Sequence, residues 1–240
     1  MSGMRLTVTD RGADFEATGA AVIADAVGAA PGTALVVATG RTPMGTYARL
    51  ARDLPARSAS GLHVFQLDEY VGVAPDDLRS LAAWTRRSFV DPLGVDPDSV
   101  VWLDGLADDL VAACQEYDEA VAAVGGLDLA VLGLGPNGHL GFNEPPSDPS
   151  SRTRQVPLSE ASLASNAAYA PGLPVPRTAL TAGLDVLLAA RRVVLLVSGS
   201  GKGEIVHRSL EGPVTPEVPA SFLQQHPELM VVVDRDAWET

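Results

Sequence analysis

The sequence has one cysteine and no apolar stretch long enough to cross a membrane. A single cysteine excludes a disulfide framework within the chain. Cys114 lies on the apolar face of a predicted helix, where we expect a buried and unreactive thiol. Because the first residues also lack an apolar run of signal-peptide length, we expect a cytoplasmic protein with no membrane partner.

Basic residues are scarce as well, since 17 Lys and Arg stand against 30 Asp and Glu, for a formal net charge of −13. Such an acidic surface repels nucleic acids and anionic lipids, so we expect neither as a partner. A small anionic ligand is still compatible with this charge. A cleft needs only a few local cations and helix N-termini to hold it.

Short runs rich in β-branched residues alternate with helical patterns along the chain. Several runs are apolar throughout, which is typical of strands buried on both faces. The pattern predicts an α/β fold: a doubly wound, mostly parallel, modified Rossmann-like sheet with helices on both faces, in a single domain over 1–240. The predicted strands are Arg5–Thr9, Ala34–Ala38, Leu62–Leu67, Val100–Leu103, Leu127–Gly133, Val193–Ser198 and Leu229–Val233, and the predicted helices lie near 12–28, 43–53, 77–90, 107–124, 183–190, 202–210 and 219–225.

Residues 134–177 interrupt this alternation, because they are rich in proline and show little periodicity apart from SEASLASNAA. A structureless stretch of this length inside a compact domain is usually functional. We therefore expect a lid-like segment at about 145–177. The alternative is a surface excursion without a function.

The segment GLGPNGHLGFNEP, residues 133–145, begins with the G-x-G-x-x-G spacing of a dinucleotide-binding turn. A strand precedes these glycines, as that turn requires. Gly141 and the prolines at 145 and 146, however, forbid the helix that should follow. We therefore expect no dinucleotide cofactor at this turn.

Polar side chains follow this strand instead. His139 can transfer protons near neutral pH, and Glu144 could accept a hydrogen bond from its ring. Asn137 is two residues away, so in an extended segment it points to the same side. The pattern is compatible with acid–base chemistry and equally with a structural loop histidine.

Two further strand ends have the character of anion sites. After the first, Thr39, Gly40 and Arg41 lead to Thr42, a predicted helix N-cap, so free N–H groups should face the strand end. After the second, Lys202 stands in SGSGKGE at a helix N-terminus, with a spacing that does not fit a Walker A motif. Two such sites on one sheet edge predict a phosphorylated small molecule as the ligand.

Asp68 and Glu69 end the strand that lies between these two loops in the sequence. Neighbouring side chains of a strand point to opposite faces, so one carboxylate can enter the cleft while the other serves the scaffold. A partly desolvated carboxylate in the cleft could act as a general base. Taken alone, the pair is equally well explained as a helix cap or as surface charge.

Together these segments resemble the glucosamine-6-phosphate deaminase family, which is related to the 6-phosphogluconolactonases. The resemblance covers nearly the whole chain in order. It implies conversion of glucosamine 6-phosphate and water to fructose 6-phosphate and ammonia, by ring opening, proton transfer from C2 to C1 and imine hydrolysis, with no cofactor and no metal. The matching segments are ATGRTPMGTY, LDEYVG, GLGPNGHLGFNEP, ALTAG, SGSGKGE and PASFLQQHP.

The resemblance also implies two groups of site residues. Asp68 would be the base that carries the proton from C2 to C1. His139 would help to open the sugar ring, oriented by Glu144 and Asn137. The implied substrate- and phosphate-binding residues are Thr39, Gly40, Arg41, Thr42 and Lys202.

The sequence departs from the family pattern at three positions. Asn137 stands where many members carry Asp, and we expect activity with a shifted pH profile. Ala168 stands where the family has an Arg that contacts the substrate phosphate, and Arg41 stands where a small residue is common. We hypothesise that Arg41 supplies the missing guanidinium. The next candidates for that role are Arg152, Arg154 and Arg177.

Three other functions remain open at this point. They are the same chemistry on galactosamine 6-phosphate, a 6-phosphogluconolactonase and a non-catalytic sugar-phosphate sensor. The chain ends soon after its last predicted strand, whereas hexameric, allosterically activated members have a C-terminal extension. We therefore expect an unregulated monomer or a low-order homo-oligomer.

Overall fold

A computed structural model describes residues 3–28, 32–55, 58–167 and 172–239. Its strands form a seven-stranded parallel sheet and a three-stranded antiparallel sheet. In chain order the strands are β1 (Arg5–Thr9), β2 (Ala34–Val37), β3 (His63–Gln66), β4 (Asp68–Tyr70), β5 (Val100–Val101), β6 (Leu129–Gly133), β7 (Arg154–Pro157), β8 (Thr178–Thr181), β9 (Arg192–Val197) and β10 (Leu229–Asp234). The larger sheet has the order β1-β10-β9-β6-β2-β3-β5, and the smaller has β4-β8-β7.

Helices cover both faces of the larger sheet. They are α1 (Ala13–Val27), α2 (Arg41–Asp53), α3 (Leu81–Thr85), α4 (Asp91–Leu93), α5 (Leu110–Ala123), α6 (Glu160–Asn166), α7 (Leu184–Leu188), α8 (Gly203–Leu210) and α9 (Arg235–Trp238), with a π-helical turn at Arg86–Val90 and 3-10 turns at Pro97–Ser99 and Pro219–Gln225. No helix in the described ranges is long and apolar enough to span a membrane.

The central strands are apolar throughout because they face two cores. In β2, Ala34 and Val36 pack into one core with residues of α5, α7 and α8. Leu35 and Val37 pack into the other core with residues of α1, α2 and α4. Successive side chains of a strand point to opposite faces, so an unbroken apolar run is what a doubly covered strand requires. The predicted doubly wound α/β fold is confirmed.

All seven predicted strands are present in the larger sheet, with bounds within two residues of the prediction. Cys114 is buried, and burial together with the charge of Asp118 raises the pKa of its thiol to about 11. A thiol with that pKa is protonated at neutral pH, as expected of an unreactive cysteine.

Two local predictions are wrong. The stretch 134–177 is not structureless, because it contributes β7 and α6. Thr42 does not cap α2, because the helix begins two residues earlier than predicted, at Arg41, and its N-cap is Gly40. Gly40 has a φ of +101°, a conformation that side chains disfavour. Pro43 is then the third helical residue, where its missing N–H costs no intrahelical bond.

The strand order places one crevice at the middle of the larger sheet. From β2 the chain continues outward to β3 and β5, and it then returns to the other side of β2 with β6 and β9. The order of the strands therefore reverses between β2 and β6. Ligands of open parallel sheets bind outside the carboxyl ends of the strands at such a point.

Candidate active site

A cavity of about 220 Å³ lies at the carboxyl ends of the central strands. It is lined by residues that follow four of them, β2, β3, β6 and β9. Seven of the nine site residues predicted from the sequence line this cavity: Thr39, Gly40, Arg41, Thr42, Asp68, His139 and Lys202. The other two, Asn137 and Glu144, contact His139 without lining the cavity themselves.

Asp68 is the first residue of β4, and its side chain is buried in the wall of the cavity. Within the described part of the chain, its Oδ1 has no hydrogen-bond partner. Burial and the neighbouring charge of Glu69 raise the pKa of Asp68 to about 8. A buried carboxyl that belongs to a cavity wall and has an unpartnered oxygen can exchange a proton with a ligand there.

Glu69 points to the opposite side and belongs to the scaffold. Its Oε2 accepts hydrogen bonds from Ser80 Oγ at 2.9 Å and from the backbone N of Ala82 at 2.8 Å. Its Oε1 accepts from the backbone N of Leu81 at 3.0 Å. The carboxylate thus satisfies the N-terminus of α3, where helical N–H groups lack partners of their own. The two adjacent carboxylates divide as predicted, one toward the cavity and one into the scaffold.

His139 is held by two side chains. Its Nδ1 lies 2.7 Å from Asn137 Oδ1 and 3.3 Å from Glu144 Oε2. Asn137 Nδ2 in turn donates to Glu144 Oε2 at 2.8 Å. Because Asn137 Oδ1 can only accept, the shorter contact places a proton on Nδ1 of the ring. Nε2 is then the nitrogen that can take up a proton in the neutral imidazole and give it back from the imidazolium.

Glu144 remains ionised despite its position. Burial by itself would raise the pKa of its carboxyl, but hydrogen bonding and charge attraction from His139, together with the side chains of Ser162 and Asn137, lower it to about 2. The carboxylate is therefore charged at neutral pH. It compensates for the neutral amide at position 137, because it can stabilise a positive charge on the ring of His139.

Gly135 allows the ring of His139 to occupy this place. A Cβ atom built on Gly135 would lie 2.2 Å from His139 Nε2. The ring therefore packs directly on the backbone of the G-x-G-x-x-G segment. The glycine at position 135 of this pattern is explained by a close approach of a side chain to the backbone.

We predict that Gly135→Ala lowers turnover by about 100-fold, because even one methyl group displaces the ring by an ångström or more. Turnover of the best substrate and the thermal midpoint of unfolding should be measured together. Gly61→Ala is the matched control, since its Cβ would meet only the backbone N of Gly32 at 3.8 Å and it lies in a turn before β3, outside the cavity lining. Full turnover in Gly135→Ala would contradict a requirement for this ring position.

Two cationic residues line the cavity, one from each of two loops. Lys202, at the start of α8, donates from Nζ to the carbonyl oxygen of Leu134 at 2.7 Å. Burial lowers the pKa of Lys202, and the charge of Asp234 partly opposes that effect. Arg41, the first residue of α2, lines the cavity from the other side. The N-termini of two helices thus face the same space, an arrangement that favours an anion.

The three other arginines considered from the sequence lie elsewhere. Arg152 pairs with Asp118 and Asp185, and Arg177 pairs with Glu160 at the surface. Arg154 donates to Asn143 Oδ1 and to Ser147 Oγ. None of the three is part of the cavity lining. Position 168, where the family pattern has an arginine, lies outside the described residues.

Sequence reasoning did not predict several lining residues. Tyr70 lies two residues after Asp68 in β4, so strand alternation could have placed both on one face. Leu81, Phe142, Ser165 and Asn166 come from segments whose approach depends on the whole fold. In 3–28, 32–55, 58–167 and 172–239, no group of three or more His, Cys, Asp or Glu side chains could hold a metal ion.

The comparisons with known proteins agree with this geometry. Residues 12–232 match the model of the glucosamine-6-phosphate isomerases/6-phosphogluconolactonase family. The chain belongs to this family. The match spans the strands and loops that build the cavity, from the start of α1 to the last strand of the larger sheet.

Named relatives within the family match nearly the whole chain. A glucosamine-6-phosphate deaminase of Cutibacterium acnes is 45% identical over 88% of this chain and 82% of its own. One of Rhodopirellula baltica is 41% identical over 99% of this chain and 97% of its own.

Solved structures also match. A monomeric glucosamine-6-phosphate deaminase is similar with a TM-score of 0.91 and 35% identity, over 100% of this chain and 99% of its own. The 6-phosphogluconolactonase of Trypanosoma brucei has a TM-score of 0.81 at 20% identity, over 100% of this chain and 99% of its own. The second likeness concerns the fold alone.

Proposed function

We propose that this chain is a glucosamine-6-phosphate deaminase, which converts glucosamine 6-phosphate and water to fructose 6-phosphate and ammonia. The observation that carries the proposal is that one cavity is lined by four residues with complementary roles. They are Asp68, which has an unpartnered buried oxygen, His139, which is held by Asn137 and Glu144, and the cationic residues Lys202 and Arg41. The name carried by relatives at 41% and 45% identity supports it.

In the first step, His139 assists ring opening. The bond between C1 and the ring oxygen breaks, the hydroxyl on C1 gives up its proton, and the ring oxygen gains one. The Nε2 atom can carry a proton between these oxygens, since contacts with Asn137 and Glu144 occupy Nδ1. The charge of Glu144 stabilises the imidazolium while it holds the extra proton.

In the second step, Asp68 removes the proton from C2 and returns it to C1. The electrons of the C2–H bond form the C1=C2 double bond of an enolamine, while the carbonyl oxygen on C1 takes up a proton and becomes a hydroxyl. Protonation at C1 and loss of a proton from the nitrogen then leave an imine at C2. Water then adds to C2 and ammonia leaves. The cavity position of Asp68 and the raised pKa of its carboxyl suit a group that must both accept and return one proton.

The phosphate is held between Lys202 and the loop of residues 39–42. Thr39, Gly40, Arg41 and Thr42 surround the N-terminus of α2, and Lys202 stands at the N-terminus of α8. Segment 145–177 acts as a lid, which is supported by the presence of Ser165 and Asn166 in the cavity wall. The reaction needs no cofactor and no metal.

The deciding experiment is ammonia release by the purified protein from glucosamine 6-phosphate. Galactosamine 6-phosphate and 6-phosphogluconolactone are offered in parallel, the latter with acid release as the readout. We expect ammonia from glucosamine 6-phosphate at the highest kcat/KM. Turnover of the lactone alone would overturn the proposal, and turnover of galactosamine 6-phosphate alone would move it to the C4 epimer.

We predict that Arg41→Ala raises KM for the sugar phosphate by about tenfold, equivalent to about 1.4 kcal/mol, and changes kcat little. Arg41 lines the cavity, and its proposed role is to bind a phosphate that takes no part in the chemistry. Steady-state kinetics should be compared with Arg177→Ala, which removes an exposed arginine outside the lining. An unchanged KM in Arg41→Ala would show that Arg41 does not contact the phosphate.

We further propose a cytoplasmic monomer or low-order homo-oligomer that acts on a small phosphosugar. The likeness to a monomeric deaminase over the whole chain supports the low oligomeric order. The formal net charge of −13 supports the expectation that nucleic acid is not a partner.

A further inference from the structure

The carboxylate of Glu144 joins two separate parts of the site. Its Oε2 accepts from Asn137 Nδ2 at 2.8 Å and lies 3.3 Å from His139 Nδ1. Its Oε1 accepts from Ser159 Oγ at 3.0 Å and from the backbone N of Ser159 at 3.4 Å. One carboxylate therefore connects the ring of His139 with the start of α6. Ser159 lies fifteen residues after Glu144 in the chain.

Ser159 also begins α6. It is the N-cap of that helix, and its Oγ accepts a hydrogen bond from the backbone N of Ser162 at 3.2 Å. A hydroxyl has one proton to donate and two lone pairs that accept, so Oγ makes the cap and the bond to Glu144 at the same time. Any displacement of the first turn of α6 must move the donor on which Oε1 depends.

The other end of α6 reaches the substrate space. Ser165 and Asn166, near the end of the helix, line the cavity. The helix spans seven residues, which corresponds to roughly 10 Å at 1.5 Å per residue. Ser159 and Asn166 stand at the two ends of one continuous hydrogen-bonded helix, so a displacement of the helix at Asn166 would also move Ser159.

We propose that Ser159 is a positioning residue that couples the placement of α6 to the orientation of Glu144 and, through it, of His139. The proposal rests on the deaminase function proposed above. When α6 takes up its place against the bound sugar phosphate, Ser159 holds the carboxylate in line with the ring. Ring opening is then fastest when the cavity wall formed by α6 is in place.

Capping and coupling make opposite demands on residue 159. Capping requires an acceptor for the N–H of Ser162, and Asp serves as well as Ser. Coupling requires a donor for Glu144, which Asp lacks when ionised. A second carboxylate beside Glu144 would also repel it. Thr supplies both the acceptor and the donor.

The test compares Ser159→Thr, Ser159→Asp and Ser159→Ala in the full chain. We expect Thr to retain kcat, and Asp to lower it by about 10- to 100-fold through misalignment of the ring. Asp keeps the acceptor that caps α6, whereas Ala removes it and should lower the thermal midpoint. If the Asp variant keeps the kcat of the wild type, Ser159 serves only as the N-cap of α6 and the proposal is overturned.

A second readout does not depend on the reaction. The ring signals of His139 are followed by NMR in the unliganded protein and assigned by their loss in His139→Gln. We expect the Asp variant to shift these signals and the Thr variant to leave them unchanged. Signals that stay in place in the Asp variant would overturn the coupling, even if the protein turned out to act on a different sugar phosphate.

Discussion

Asp68→Asn is expected to lower ammonia release by about 10³- to 10⁴-fold, because it removes the group that carries the proton between C2 and C1. An amide fills the same space and cannot accept a proton at neutral pH. KM should change little, since the proposed phosphate site does not include Asp68. The measurement is kcat and KM for glucosamine 6-phosphate, from rates over a range of substrate concentrations up to saturation.

The same substitution should stabilise the protein at alkaline pH. The pKa of Asp68 is about 8 in the folded protein and near 4 in an unfolded chain. The wild type therefore has the full benefit of a neutral Asp68 below pH 4 and loses it as the pH rises through 8. Asn is neutral throughout. The difference in unfolding free energy should favour Asp68→Asn increasingly between pH 6 and pH 9.

If Asp68→Asn is inactive and yet more stable than the wild type, its loss of activity is due to the missing catalytic group and not to misfolding. Denaturant unfolding at pH 6 and pH 9 is the control, and it requires no substrate. Ammonia release within tenfold of wild type would show that another group moves the proton. A loss of stability at pH 9 would show instead that the charge of Asp68 is compensated in the folded protein.

The strands of the larger sheet could be predicted because most of them have a strongly apolar local sequence. An unbroken apolar run such as that in β9 is typical of a strand that is buried on both faces. The smaller sheet gave no such signal. Its strand β4 consists of Asp68, Glu69 and Tyr70, and it pairs with β8 more than a hundred residues later. A three-residue polar strand is stabilised by its partner and by its neighbours, so its own sequence does not reveal it.

The candidate site also combines residues that the sequence predicts with contacts that only the fold creates. Loops that follow buried strands meet at one edge by geometry, and this is why seven predicted residues line one cavity. The bond from Ser159 to Glu144 depends on where the chain returns after residue 145. The mistaken cap at Thr42 has a local cause, since both Gly40 and Thr42 are acceptable N-caps. The backbone turn at Gly40 decided between them.

Glu69→Gln is expected to lower the free energy of unfolding by about 3 kcal/mol or more, with little effect on the chemistry. Glu69 is buried, and both its oxygens accept hydrogen bonds. Oε1 accepts from the backbone N of Tyr70 and Leu81, and Oε2 accepts from Ser80 Oγ, Gln66 Nε2 and the backbone N of Ala82. A glutamine must turn its NH₂ group toward one of these sets, where at least two donors then face another donor.

Denaturant unfolding measures this loss, and Glu228→Gln is the matched control. Glu228 forms an exposed ion pair with Arg5, so its replacement should change the unfolding free energy by no more than about 0.5 kcal/mol. Ammonia release per folded Glu69→Gln molecule should stay within tenfold of wild type. If Glu69→Gln kept its stability and lost its activity, Glu69 would be the carboxylate that acts on the substrate. Asp68 and Glu69 would then have exchanged the roles that their opposite orientations in β4 indicate.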